Sequence, residues 1–173
     1  MITASRLRKV ALTAHVTCSV GLLGGVAAFL VLATAGLGSS EAHVVQGTYI
    51  GMKLIAWWVV LPPVLAALLT GLIQSLGTEW GLFRHYWVIG KLALTVITVA
   101  VLLAQMGGIH HLADMAAIST LAGADLLMLR RSTVVHASGG LLVLLVPVAL
   151  SVFKPRGMTG YGLRRLHEGR RTP

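Results

Sequence analysis

Seven histidines are the residues in this chain best suited to chemistry: His15, His43, His85, His110, His111, His136 and His167. Neutral imidazole ligates both metal ions and haem iron, so the depth of each ring in a hydrophobic chain decides its use. His15 follows Lys9 by six residues, which is about 9 Å along a helix. His85 stands at the edge of an uncharged segment, with Lys91 a turn or two inside it. His136 enters a later segment from the opposite side, together with His43, His110 and His111. There is thus an inner set (His15, His85, Lys91) and an outer set (His43, His110, His111, His136).

As cofactor ligands, His15, His85, Lys91 and His136 are the candidates, and haem b is the cofactor they suit. The plainer alternative gives each histidine a hydrogen bond to a neighbouring helix or a headgroup, and it is favoured for His43, His85 and His167. It is less easily accepted for His15 and His136, because a polar side chain deep in a membrane needs a reason to be there. His110 and His111 are the metal candidates, but adjacent residues point to different helical faces and make a poor zinc site. No H-E-x-x-H, paired-cysteine or phosphate-loop pattern occurs. Lys91 either snorkels its ammonium to the headgroups or is a fixed cation in a polar pocket with Thr95 and Gln74. In the second case it suits an anionic group such as a haem propionate.

These residues need a membrane-spanning scaffold to hold them. The 173 residues are 56% hydrophobic and 11% charged, with a mean hydropathy of +0.85. So few charges cannot coat a soluble domain of this size. Residues 10–40 carry no Asp, Glu, Lys or Arg. After a basic head this imitates a secretory signal, yet it is longer than a signal core of about 7–15 residues. It predicts an uncleaved first helix over about 10–35, since a span needs about 20 residues. A polar connection over 36–49 precedes a second helix over about 50–76, kinked by Pro62-Pro63.

The stretch from Thr78 to Trp87 then gathers an acid, a base, a histidine and four aromatics. Such rings settle in the headgroup zone, so it reads as the turn between two helical hairpins. The third helix is expected over about 85–106. Arg84, Lys91, Thr95, Thr98 and Gln105 share one face of it and point into the bundle or a wet cavity. Residues 107–131 read as an interfacial helix lying on the surface between spans three and four, and 132–153 as the fourth span. The fold class is therefore all-α: a polytopic four-transmembrane-helix bundle, one domain over 1–153. Residues 154–173 form a basic, flexible cytoplasmic tail suited to anionic lipid headgroups.

Of the fourteen Lys and Arg residues, eleven fall at the amino end, the central turn and the tail, and three on the other side. Positive charge stays inside, so both termini face the cytoplasm of a bacterial inner membrane. Bases confined to membrane ends argue against nucleic-acid binding. Cys18, the one cysteine, lies in an apolar run and excludes an intrachain disulfide. The G-x-x-x-G of Gly21 and Gly25, and Gly139-Gly140, permit close helix approach within one bundle or between copies in a homo-oligomer.

Three stretches carry a resemblance: His15-Val16-Thr17-Cys18-Ser19-Val20-Gly21, the run from Gly71 to Trp87, and Val134-Val135-His136-Ala137 through to Met158. With them the chain resembles an uncharacterised family of small bacterial four-helix integral membrane proteins. Its first-helix histidine and a third helix containing Lys91-Leu92-Ala93-Leu94 are distantly similar to two further groups. One is the membrane domain of copper-resistance protein D; the other is the four-helix bacterial protoporphyrinogen oxidase, which binds haem b. That similarity implies a haem ligand at His15 and a functional lysine at Lys91. Two function classes follow: a b-haem redox or electron-transfer protein, or a non-enzymatic bundle (transporter component or partner subunit) with structural histidines. Counted from opposite boundaries of a ~30 Å core, His15 and His136 differ by about 14 Å in depth, so they are not expected on one iron.

Overall fold

The computed structural model describes residues 2–76, 82–118, 124–153, 155 and 157–169. The side chains of 2–5, 124–125 and 165–169 are outside that description, as is the Thr78–Gly81 part of the central turn. The described chain is helical: α1 (Ile2–Gly38), α2 (Ala42–Ile55), a π turn (Ala56–Val60), α3 (Leu61–Leu76), α4 (Tyr86–Ala117), α5 (Ala124–Phe153) and α6 (Gly160–Gly169). α2, the π turn and α3 are one continuous rod. Four helices are therefore long and apolar enough to cross a membrane: Arg6–Gly38, Ala42–Leu76, Tyr86–Ala117 and Leu126–Phe153. The shortest, at 28 residues, is about 42 Å long, so each overreaches a ~30 Å hydrocarbon core. Each span packs on the next, and α1 also packs on α5, which closes a four-membered ring.

Two expected loops are helix instead. The connection expected over 36–49 shrinks to Ser39–Glu41, because Val45, Thr48, Tyr49 and Met52 form a buried stripe that continues α2 outward. The expected interfacial helix over 107–131 is not a separate element among the described residues. Its first part, 107–117, prolongs α4, and residues 124–131 begin α5. The apolar face expected to seek lipid is Leu112, Met115, Ile118, Leu121 and Met128-Leu129. Leu112 is buried, Met115 and Leu129 are half-buried, Ile118 and Met128 are exposed, and Leu121 lies outside the described residues. The buried stripe is instead Ile109, Leu112, Ala113 and Ala116, three of them in the outer core with Tyr49 and Met52. Spacing of three, one and three fits a bundle stripe as well as a surface helix. Burial decided between them.

The Pro62-Pro63 pair, expected to kink this rod, follows directly on the π turn. Proline has no N–H for the carbonyls of Trp58 and Val59 four residues earlier, and a wider turn is one way a helix absorbs that loss. Gly25 packs on this point: a Cβ there would lie 3.2 Å from the Val59 carbonyl oxygen. Of the G-x-x-x-G pair, then, Gly25 serves contact within the bundle, while a Cβ on Gly21 would meet nothing within 4 Å.

The tail also differs from expectation. Its Gly and Pro content suggested disorder, yet α6 forms and docks on the central turn. Met158 makes an antiparallel bridge with His85. Thr159 donates its N–H to the Arg84 carbonyl (2.9 Å) and its hydroxyl to that of Phe83 (2.5 Å). The Thr159 Oγ also accepts the Gly162 N–H at 3.1 Å, an N-cap that starts α6.

Candidate functional site

Two polar regions lie at opposite ends of the bundle, with an apolar cavity between them. At the inner end, α1 and α3 run antiparallel in a fixed register. His15 Nδ1 is 3.0 Å from Thr70 Oγ1, and Gln74 donates its amide to the Ala11 carbonyl at 3.1 Å. Thr70 spends its hydroxyl proton on the Ala66 carbonyl (2.6 Å), so in the bond to His15 the ring nitrogen is the donor. That places the proton on Nδ1 and leaves Nε2 as the basic nitrogen. Gly71 lets the ring approach: a Cβ there would be 3.2 Å from His15 Cε1.

Lys91, on α4 across the ring, donates to Ser151 Oγ of α5 at 3.1 Å and lies 4.8 Å from the Trp87 ring centroid. Its charge is also within electrostatic reach of His15. Of the predicted site residues, these two are the pair linked electrostatically, each held by its own neighbours. Gln74, expected beside Lys91, is committed to α1. His85 is the N-cap of α4, in extended conformation, and its carbonyl receives the N–H groups of Val88 and Ile89. Its structural part is to start the helix and bind the tail strand.

The outer end is a set of ties. Arg130 of α5 donates Nε to the Tyr49 hydroxyl (2.9 Å) and Nη2 to the Gly36 carbonyl (2.6 Å), joining three helices. Lys53 pairs with Asp114 at 3.1 Å. One turn deeper, Trp57 donates its indole N–H to His110 Nε2. His111 is exposed, and His43 pairs with Glu41 at 3.3 Å. Among the described residues no group of three or more His, Cys, Asp or Glu could hold a metal ion. The outer histidines are thus dispersed over different partners.

Between the ends lies a cavity of about 290 Å³. Its floor is buried apolar residues of α1 and the second span, among them Leu22, Phe29, Val60 and Val64. Its rim is exposed: Ile97 and Val101 on α4, Val135 and His136 on α5. The opening therefore faces sideways, between α4 and α5. His136 Nδ1 is 2.7 Å from the Ser132 carbonyl, which can only accept, so here too Nε2 is the basic nitrogen. Thr98 and Thr133 spend their hydroxyl protons on their own helices. The Gln105 amide has no hydrogen-bond partner among the described residues. Among the described residues no Asp, Glu, Lys or Arg lines the cavity. Its α1 wall starts at Leu22, seven residues past His15, about 10 Å further along the helix.

Sequence reasoning missed Arg130, Thr70 and the cavity. Thr70 was findable, since Thr70 and Gln74 are four apart in an otherwise apolar run and must share a face. No family model matches the chain, and no curated protein or solved structure matches it either.

Proposed function

We propose that the protein is a multi-pass redox or electron-transfer protein of the bacterial inner membrane, with both termini cytoplasmic, that holds haem b at its inner end. His15 would hold the iron through Nε2, and Lys91 would offer its ammonium to a carboxylate of the group. The carrying observation is that Thr70 ties up Nδ1 of His15 and leaves Nε2 basic, with the Lys91 charge within electrostatic reach across the ring of helices. A histidine whose Nδ1–H is already donated has the tautomer and orientation of a metal ligand. The donor set fits the group in two respects, one basic imidazole nitrogen and one cation for a carboxylate. The cavity fits it worse, because two propionates would enter an uncharged lining and lose their hydration.

Bound haem supplies one-electron transfer. The chain's own residues then have separable roles: Thr70 orients His15, Ser151 and Trp87 hold the Lys91 ammonium, and Gly71 gives the ring room. His85 and His136 fall outside this inner ligand set.

An absorbance spectrum of detergent-purified protein, oxidised and then dithionite-reduced, tests the reading. Expression with added haem should give a b-type spectrum, and His15→Ala should remove it. Lys91→Met should leave the bands and weaken retention of the haem. A wild-type preparation that stays colourless rejects the proposal. It would favour the non-enzymatic bundle, in which His15–Thr70 simply joins two helices.

A further inference from the structure

Two polar groups in the lateral cavity have unused hydrogen-bonding capacity, one a lone acceptor and the other an amide that can donate as well as accept. His136 offers a basic Nε2, an acceptor, from α5. Gln105 offers an amide with two N–H donors from α4. Both stand among aliphatic side chains, and if the four long helices cross a bilayer the lateral opening faces its hydrocarbon. Hydrocarbon satisfies neither group. A ligand that does must be neutral, because the lining holds no charge; lipid-soluble, because the mouth is lateral; and able both to donate and to accept.

We infer that this cavity binds the ring of a neutral, membrane-soluble hydroquinone carrying an alkyl or isoprenoid chain. One hydroxyl donates to His136 Nε2, and the Gln105 amide donates to an oxygen of the ring. The chain leaves between Ile97 and Val135 into the bilayer. Gly139 and Gly140 line the same wall, and a Cβ at either meets nothing within 4 Å. The α5 wall is therefore open for a flat ring, and side chains added there would occupy its place. At about 290 Å³ the cavity lies at the small end of ligand sites, roughly 300–1,000 Å³. That suits one substituted ring with its tail outside. The inference is one of binding, and it stands on the cavity alone, whether or not haem occupies the inner end.

The test is titration of the protein in lipid nanodiscs with decyl-ubiquinol under anaerobic conditions, followed by tryptophan fluorescence and checked by equilibrium dialysis against empty nanodiscs. Saturable binding at one site per chain is expected. Gln105→Leu should weaken it about tenfold, as for one lost hydrogen bond. His136→Phe should weaken it at least as much, and Gly140→Leu should abolish it by filling the cavity. Helical circular dichroism and gel-filtration position should remain those of wild type, and Gly21→Leu, away from the cavity, serves as a control for unspecific damage. Equal uptake by wild type and all cavity variants would mean partition into lipid and would overturn the inference. So would tighter binding of a fatty acid of equal chain length, which would reveal a cation missing from this lining. Efficient disulfide crosslinking of a Val135→Cys, Cys18→Ser variant, unaffected by decyl-ubiquinol, would show a second copy covering the mouth and would overturn it as well. Recording the spectrum in parallel separates the two proposals: a wild type that is colourless yet binds quinol removes the haem reading only, and His15→Ala should bind quinol as wild type does.

Discussion

The two ends of the bundle use polar residues in opposite ways. At the outer end, Arg130, Tyr49, Lys53, Asp114, Trp57 and His110 satisfy one another across helices, above a core that includes Met52, Leu112 and Ala116. At the inner end the partners are local or paired in twos, and His15 keeps a basic nitrogen with Lys91 in electrostatic reach. The buried clusters occupy the outer and middle parts of the bundle. Closed networks in low dielectric rigidify a fold, whereas a group with unused capacity is where a ligand can bind. Hence stability should reside at the outer end and chemistry toward the inner end and the cavity.

The largest effect that could break this contrast is at Arg130. Arg130→Ala leaves the Tyr49 hydroxyl and the Gly36 carbonyl without their donor where three helices meet. Hydrogen bonds to a charged group are worth about 1.5–3 kcal/mol, so a loss of about 2–3 kcal/mol is expected in detergent unfolding. Arg130→Lys should recover part of it, since an ammonium cannot hold both acceptors and stack on Tyr49. By contrast His15→Ala should cost only about 1 kcal/mol, the typical net value of one neutral hydrogen bond. If His15→Ala destabilised more than Arg130→Ala, the inner end would be the structural one.

A smaller and local effect is expected where α6 docks. A Cβ on Gly162 would stand 2.5 Å from the Arg84 carbonyl oxygen, and backbone cannot move aside cheaply. Gly162→Ala should therefore release α6 from the central turn at a local cost of about 1–3 kcal/mol. Limited proteolysis would detect this as cleavage between 158 and 169 while the four long helices resist. Unchanged resistance throughout would mean that the turn relaxes around the methyl group and that Gly162 is no packing requirement.

Much of this frame was legible in the residue pattern. Uncharged runs gave four long apolar helices, and the Pro62-Pro63 pair marked the place of the π turn. Helix ends were less legible. Residues 107–117 and 42–49 contain histidines, glycines and acids, and only their burial against each other shows that they continue the spans. The tail shows the same limit: Thr159 and Gly162 look like loop residues until the Arg84 carbonyl is beside them. Among site residues, His15 and Lys91 were marked by depth alone. Thr70 could have been marked by its spacing from Gln74, but Arg130 could not, because nothing in one sequence says which of two adjacent arginines faces inward. The lateral cavity depends on how α1, the second span, α4 and α5 pack together, which is tertiary geometry.

The smallest expected effect sharpens where the outer end stops being membrane. Lys53 and Asp114 pair at 3.1 Å, with side chains 36% and 69% exposed. In water or among hydrated headgroups, such a pair is screened and worth about 0–1 kcal/mol. Residues 107–117 were expected at the surface, and as a prolongation of α4 they still rise beyond a ~30 Å core. A double-mutant cycle with Lys53→Met and Asp114→Asn should thus give a coupling below about 1 kcal/mol that falls further with added salt. Trp57–His110, one turn deeper, carries no formal charge pair and should be indifferent to salt. A coupling of several kcal/mol, insensitive to salt, would instead put Lys53 and Asp114 in a low-dielectric zone. The hydrocarbon boundary would then lie at least a turn further out, and the outer ties would be membrane-buried.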